Sequence, residues 1–203
     1  MVGGDHYRLE VEVFEGAIGV VVNPAAQLIL KCPSEPARAQ VELQVHSGGT
    51  LIFLPSPTLA YPGAKLRQTI HIELESGAQL AWLEVYRTSG FAELSLRTWA
   101  KLDARPYLVE GLELAEARGT GVLDGQNALG SALIYPCSGP DHSWNGGYLA
   151  SLPAHGYYGR SLAPDVGTLL TVLFGLILEN TAEWGWLFPE FFRYAPALSQ
   201  RPL

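Results

Sequence analysis

The sequence predicts a mainly β chain, a β-solenoid or β-helix-like core of repeated strand-turn-strand units with one or two helices at its C-terminal end. Three observations predict it. A strand, a tight glycine turn and a second, more apolar strand recur three times in the first half, with the turns at Gly16, Gly48 and Gly77, a repeat of roughly 30 residues. The first strand of each unit alternates apolar and polar residues, which is the period of an extended chain with one buried face. An apolar run with a helix start signal comes late, after Pro164-Asp165.

The alternating strands carry Leu9, Val11 and Val13, then Val41, Leu43 and Val45, then Ile70, Ile72 and Leu74 on one face. Glutamates and amides occupy the other. The second strands, residues 19–22, 51–54 and 80–85, are apolar at nearly every position, as expected of strands covered on both sides. Each unit needs its neighbours to bury it. Alternation continues over residues 93–99 and 107–114, and the β-rich part is expected to run to about residue 135. Glycine, proline, serine and aromatics dominate residues 136–164, which read mostly as loop with a strand-like piece at 156–162. The apolar run 166–178, bracketed by Asp165 and Glu179, reads as a buried or partner-facing helix, and it is short of the ~20 residues that span a bilayer. The tail from Trp184 holds several aromatics and few charges, and it is expected to dock on its own chain or another.

Size and composition narrow the function. No linker divides the 203 residues, so one domain over 1–203 is expected. Charged residues make up 16% of the chain against roughly 25% in ordinary soluble domains, which suggests a surface covered by a partner. Net charge is −7 with scattered Lys and Arg, so nucleic acid has no electrostatic footprint. Two cysteines, Cys32 and Cys137, and no basic-then-apolar leader make a cytoplasmic location the expectation.

Catalytic signatures are missing: no nucleophile elbow, phosphate loop, paired Cys-x-x-Cys or His-Glu-x-x-His is present. The chain is therefore not expected to be an enzyme. Cys137, Asp141 and His142 form the nearest approach to a metal site, since thiolate and imidazole suit a late transition metal such as nickel. Incidental placement is the competing reading, because a tight site needs further ligands. His46 and His71 lie among Glu42, Glu73 and Glu75 on the polar strand face, where cross-strand charge pairs are the simpler account. Glu84 and Glu110 differ, since each sits in an otherwise apolar strand, where a carboxylate is costly unless paired or wet. They are candidates for an internal polar path, and hydrogen bonding to backbone is the alternative.

The segment Leu54-Pro55-Ser56-Pro57, a short apolar run, Gly63-Ala64 and then Arg67-Gln68 resembles the signature of the urease accessory protein UreD family, also called UreH. Upstream, Gly3-Gly4-Asp5 is similar to the family's Gly-Gly-Asp segment, and Asn23-Pro24-Ala25-Ala26 to its Thr-Gln-Ala-Ala stretch. Downstream, Ala81 to Val85 is similar to its aromatic-acid strand, and residues 156–162 with the apolar run that follows resemble its closing strand and helix. The resemblance covers nearly the whole chain. Two polar positions of the family pattern are replaced here, by Ser56 and Leu28, and the chain reads as a short, N-terminally truncated member.

The resemblance implies a β-solenoid-like core and a non-catalytic role in urease maturation, in complex with UreF and, through it, the GTPase UreG, passing nickel to apo-urease. It implies transient nickel rather than a tightly bound cofactor, and a possible dimer within that complex. The family's proposed route is an internal, water-filled polar tunnel, for which Asp5, Glu84 and Glu110 are the candidates. Leu169, Leu170, Phe174, Trp184 and Trp186 are expected to contact the partner. A shortened relative that docks without transferring nickel is one alternative. A β-solenoid enzyme acting on acidic polysaccharide is another, with carboxylates of successive turns as acid and base.

Overall fold

Alternation in the sequence becomes two facing sheets wound from the same coils. The computed structural model describes residues 1–23, 25–88, 92–115, 125–144, 146–181 and 184. The first coil is β1 (His6–Val13), β2 (Ile18–Val22) and β3 (Gln27–Ile29); the second is β4 (Ala37–Val45), β5 (Thr50–Leu54) and β6 (Thr58–Ala60). The third is β7 (Lys65–Leu74) and the long β8 (Gln79–Thr88), followed by β9 (Glu93–Leu102). First strands stack in parallel as β1-β4-β7-β9, and β2-β5-β8 stack in parallel in the second sheet. β3 and β6 stack in parallel against the far end of β8.

The turns carry this stacking. Gly16, Gly48 and Gly77 have φ of +71°, +74° and +88°, the left-handed region that glycine enters without strain. The Gly16 amide donates to the Gly48 carbonyl at 3.2 Å, and the Gly48 amide to that of Gly77 at 3.1 Å. In-register pairing aligns Val13 with Val45 and Val45 with Leu74, so every inward side chain has an inward neighbour in the next coil.

After β9 the winding changes. The chain turns back at Asp103-Ala104 into β10 (Arg105–Leu114), antiparallel to β9 at the edge of the first sheet. β11 (Ala128–Tyr135) then pairs antiparallel with β8, and β12 (His142–Trp144), β13 (Gly147–Leu152) and β14 (Gly156–Ala163) complete the second sheet in the order β12-β13-β14-β11-β8-β5-β2. Residues 136–164, expected to be mostly loop, thus hold three strands. β13 pairs with β14 although Gly, Ala and Ser interrupt its alternation, because tertiary pairing outweighs local propensity.

Helix α1 (Val166–Asn180) begins where Pro164-Asp165 predicts, with Asp165 Oδ1 accepting from the Thr168 amide at 2.8 Å. It lies over β8, β11 and β14 and buries Leu169, Leu170, Leu173 and Ile177 against Ile52, Leu83 and Ile134. Leu169 and Leu170, expected to face a partner, are therefore core residues of this chain, whereas Phe174 and Trp184 pack at the margin, half-buried. Trp186 lies outside the described residues. β5 and β8 are covered on both faces as the sequence predicts, but β2 is not: Ile18, Val20 and Val22 are exposed, because the helix packs on the other end of the sheet. Among the described residues no helix is long and apolar enough to cross a membrane.

Two apolar clusters fill the space between the sheets. One, at the turn side, gathers Leu43, Val45, Leu51, Phe53, Ile72, Leu80 and Leu133. The other, at the far end, gathers Ile29, Ala60, Leu66, Leu94 and Leu129. The close spacing of coils yields a test at Gly49, where a Cβ would meet the backbone oxygens of Phe14, His46 and Val13 at 2.9, 3.0 and 3.1 Å. Gly49→Ala is expected to cost roughly 1–3 kcal/mol through overpacking against rigid backbone. Gly16→Ala, with open space around the added methyl, is expected to cost about 1 kcal/mol of left-handed strain. Urea unfolding of the two variants checks this, and equal losses would contradict the close packing of the first two turns.

Candidate functional site

Between the two apolar clusters runs a row of polar side chains at inward positions of six strands. Sheet pairing sets Glu84 of β8, Ser131 of β11 and Arg160 of β14 side by side. Across the gap, Thr98 of β9 pairs with Glu110 of β10, and Gln68 of β7 stands opposite Glu84. These residues, with Tyr86, Trp82 and apolar neighbours, line one narrow internal cavity. The room left for water centres is about 10 Å³, enough for one water.

Glu84 is the deep end of the row. It is 8% exposed and accepts from Gln68 Nε2 at 2.7 Å and 2.9 Å, one bond to each carboxylate oxygen. The Tyr86 hydroxyl donates to Glu84 Oε2. Burial raises its pKa to about 7, against the pull of the Tyr86 and Gln68 hydrogen bonds toward the ionised form. The Tyr86 hydroxyl is pushed well above its ordinary value by burial and then by the adjacent carboxylate. On the same wall, the Tyr158 hydroxyl donates to Ser131 Oγ at 3.4 Å.

The outer end is an ion pair between Arg160 and Glu110, whose side chains keep 22% and 16% of their surface exposed. Burial lowers the Arg160 pKa. Arg160 Nε and Trp82 Nε1 are buried without a hydrogen-bond partner among the described residues, so two donors in this lining are unsatisfied. Chemically, the row offers a carboxylate that changes charge near neutrality, a second carboxylate closer to solvent, and hydroxyl and amide oxygens. Such hard, weak oxygen ligands suit a proton or a divalent ion in passage better than a permanent metal.

Sequence reasoning finds Glu84 and Glu110, and the structure brings them into one lining. Asp5 is elsewhere: its exposed carboxylate accepts from the Val2 amide at 2.7 Å in the turn before β1. Cys137 and Asp141 share a loop but face different partners. Cys137 Sγ lies 3.2 Å from Asn180 Oδ1 at the end of α1, and Asp141 Oδ1 accepts from the amide and hydroxyl of Ser151 at 2.7 Å. The side chain of His142 lies outside the described residues. Among the described residues, no three His, Cys, Asp or Glu side chains gather closely enough to hold a metal. On the outer strand face, His46 bridges Glu12 at 2.8 Å and Glu75 at 2.9 Å, and Lys101 meets Glu73 at 3.1 Å, which are cross-strand charge pairs.

The motif residues serve the winding and the site alike. A Cβ at Gly3 would fall 2.6 Å from the Glu35 carbonyl, and Gly4 has φ of +83°, so both glycines are required where the first turn packs. Leu54 ends β5, and Pro55 and Pro57 flank Ser56, whose hydroxyl donates to the Asn23 carbonyl in the coil before. Gly63 turns with φ of +78°, Ala64 is fully buried, and Arg67 is exposed on β7. Gln68 is the residue that meets Glu84, a role its place in the motif does not announce. Gln68, Thr98, Ser131 and Arg160 have a sequence signal nonetheless: each is polar at an inward position of an otherwise apolar alternation.

Comparison with known proteins points one way. The model of the family described as "UreD urease accessory protein" matches residues 1–174. The chain is similar to urease accessory protein UreD of Actinomyces naeslundii, 33% identical over 141 residues, covering 63% of this chain and 52% of that protein. The protein of the same name from Klebsiella pneumoniae is 28% identical over 213 residues, covering 98% of this chain and 75% of its own length. The Anaeromyxobacter protein of that name is 29% identical over 131 residues, covering 61% of this chain and 44% of its own. The chain thus spans about half the length of the first and last of these relatives.

Glu84 gives a pH test. A carboxyl raised from 4.5 in the unfolded chain to about 7 when folded stabilises the fold fully below the lower value and loses that contribution as pH rises through the higher one. Urea unfolding is expected to show wild type losing stability relative to Glu84→Gln between about pH 5 and pH 7.5, by on the order of 3 kcal/mol. Parallel profiles for the two proteins would mean that Glu84 ionises in the ordinary carboxylate range.

Proposed function

The chain belongs to the UreD urease accessory protein family, and from that premise we propose that it is a non-catalytic maturation factor which helps deliver nickel to apo-urease. Its partners in this reading are UreF, the GTPase UreG through UreF, and apo-urease, assembled in the cytoplasm. Nickel is cargo rather than resident cofactor.

The observation that carries the reading is the polar row between the sheets. A chain that needed only to fold would gain by filling these positions with apolar side chains, since burying a carboxylate is costly even when it is hydrogen-bonded. Glu110 is the outer stage for the ion and Glu84 the inner one. At neutral pH the Glu84 carboxyl exchanges its proton readily, so a divalent ion competes with a proton rather than with a fixed counter-ion. Oxygen ligands release nickel quickly, whereas a thiolate and imidazole cage would retain it. Asp5, exposed in the first turn, is a surface acid outside this lining. Phe174 and Trp184, half-buried at the margin of the helical region, are the residues assigned to the UreF contact in this reading.

The test is co-expression with the UreF and UreG of the same organism and with apo-urease, followed by purification through a tag on this chain. A stable complex that raises the nickel content and activity of urease is expected. Replacing Glu84 and Glu110 together by Ala is expected to leave the complex intact and to lower activation by roughly tenfold. A complex that forms without activating urease would favour a relative that docks but does not transfer nickel. Full activation by the double variant would remove both carboxylates from the mechanism.

A further inference from the structure

The ion pair at the outer end of the row sits awkwardly for a cation path. Arg160 is the register neighbour of Ser131, which is the register neighbour of Glu84, so a fixed positive charge lies in line between the partly exposed end of the cavity and its deepest carboxylate. Its hydrogen bonding is also incomplete. Its contact in the lining is the carboxylate of Glu110, and its Nε is buried with no acceptor. With room for about one water, the cavity in this arrangement is too small for a hydrated divalent ion.

We propose that Arg160 is the gate of this cavity: paired with Glu110 it closes the outer end to cations, and its displacement frees Glu110 and opens the way to Glu84. The inference rests on the nickel-path reading given above and adds the residue that controls it. Tyr148 of β13 provides the place to which the side chain moves. It pairs in register with Arg160, is 43% exposed, and carries an aromatic ring, a group that stabilises a guanidinium laid over its face. Closed, the guanidinium neutralises Glu110 and repels a dication; open, the two carboxylates face the cavity with no cation between them. The ion pair thus prevents the cavity from filling with whatever divalent ion is abundant, and admission requires an event that moves Arg160.

The measurement is the rate at which the full chain, purified with UreF, takes Ni²⁺ from a chromogenic chelator, followed by stopped flow. Far-UV circular dichroism and thermal melting verify that each variant is folded. Arg160→Gln removes the charge and is expected to speed uptake by roughly tenfold, and adding Glu84→Gln is expected to abolish that gain. Glu110→Gln leaves the guanidinium unpaired in the cavity and is expected to slow uptake. Opposite signs in the two single variants are the signature of a gate, because simple loosening of the structure accelerates both. Should both variants change uptake in the same direction, or Arg160→Gln match wild type while Glu84→Gln abolishes uptake, the gate is overturned and the path stands. If Glu84→Gln changes nothing in either background, the path itself falls and the gate with it. Should Arg160→Gln fail to fold, Arg160→Lys with Glu110→Gln supplies the comparison: the lysine keeps the charge and is expected to stay within twofold of wild type, and a large acceleration would overturn the proposal.

Discussion

In-register stacking of successive coils is the constraint on which the rest of this structure depends. Once the Gly16, Gly48 and Gly77 turns are hydrogen-bonded to one another, the first and second strands of each coil have no freedom in register, because a slip of one residue would turn every buried side chain outward. The inward face is thereby fixed as a lattice of columns, one residue per coil. Most columns are apolar and merge into the two clusters between the sheets. The same lattice gives the chain a means of placing polar groups: a single polar residue at an inward position of each strand produces a row across the core without any special loop.

That row is expensive, and the structure shows how the cost is held down. Glu84 has Gln68 and Tyr86 donating to it, and its raised pKa means that near neutrality a substantial fraction carries no charge. Glu110 is paired with Arg160 where both retain some contact with solvent, so neither charge is fully desolvated. The cluster at the turn side and the cluster at the far end are each built from buried hydrophobic side chains. The polar row is flanked rather than surrounded by apolar packing, and the antiparallel strands β11 and β14 extend it from the deep wall of β8 toward the Arg160–Glu110 pair.

What the sequence reveals follows from which interactions are local. The alternating strands and their turns are legible because a period of two and a glycine with positive φ are properties of a few adjacent residues. The start of α1 is legible because Asp165 caps its own helix. The strands at 142–152 are not, since Tyr148 and Leu149 sit among small residues and their pairing is supplied by β14. The exposure of Ile18, Val20 and Val22 is equally hidden, because it depends on where the helix lies across the second sheet and not on β2 itself. The burial of Leu169 and Leu170 depends on the same packing. For the site, Glu84 and Glu110 stand out as carboxylates in apolar strands. Gln68, Ser131 and Arg160 show only as polar residues in an apolar alternation, and register is what sets Ser131 and Arg160 in line with Glu84.

The lattice also bears on how strongly the row can bind an ion. Two carboxylates on different strands, separated by hydroxyl and amide groups, provide oxygen ligands one at a time rather than a closed cage, and their own hydrogen bonds must be broken before a metal can use them. Gln68 and Tyr86 compete for the lone pairs of Glu84, as Arg160 competes for those of Glu110. Each donor that stabilises the fold therefore opposes any ion that would use the same lone pairs. For an enzyme that holds its metal through many turnovers this would be a defect. For the nickel-passing role proposed above it is a requirement, and it arises from the same hydrogen bonds that allow carboxylates to be buried in this core at all.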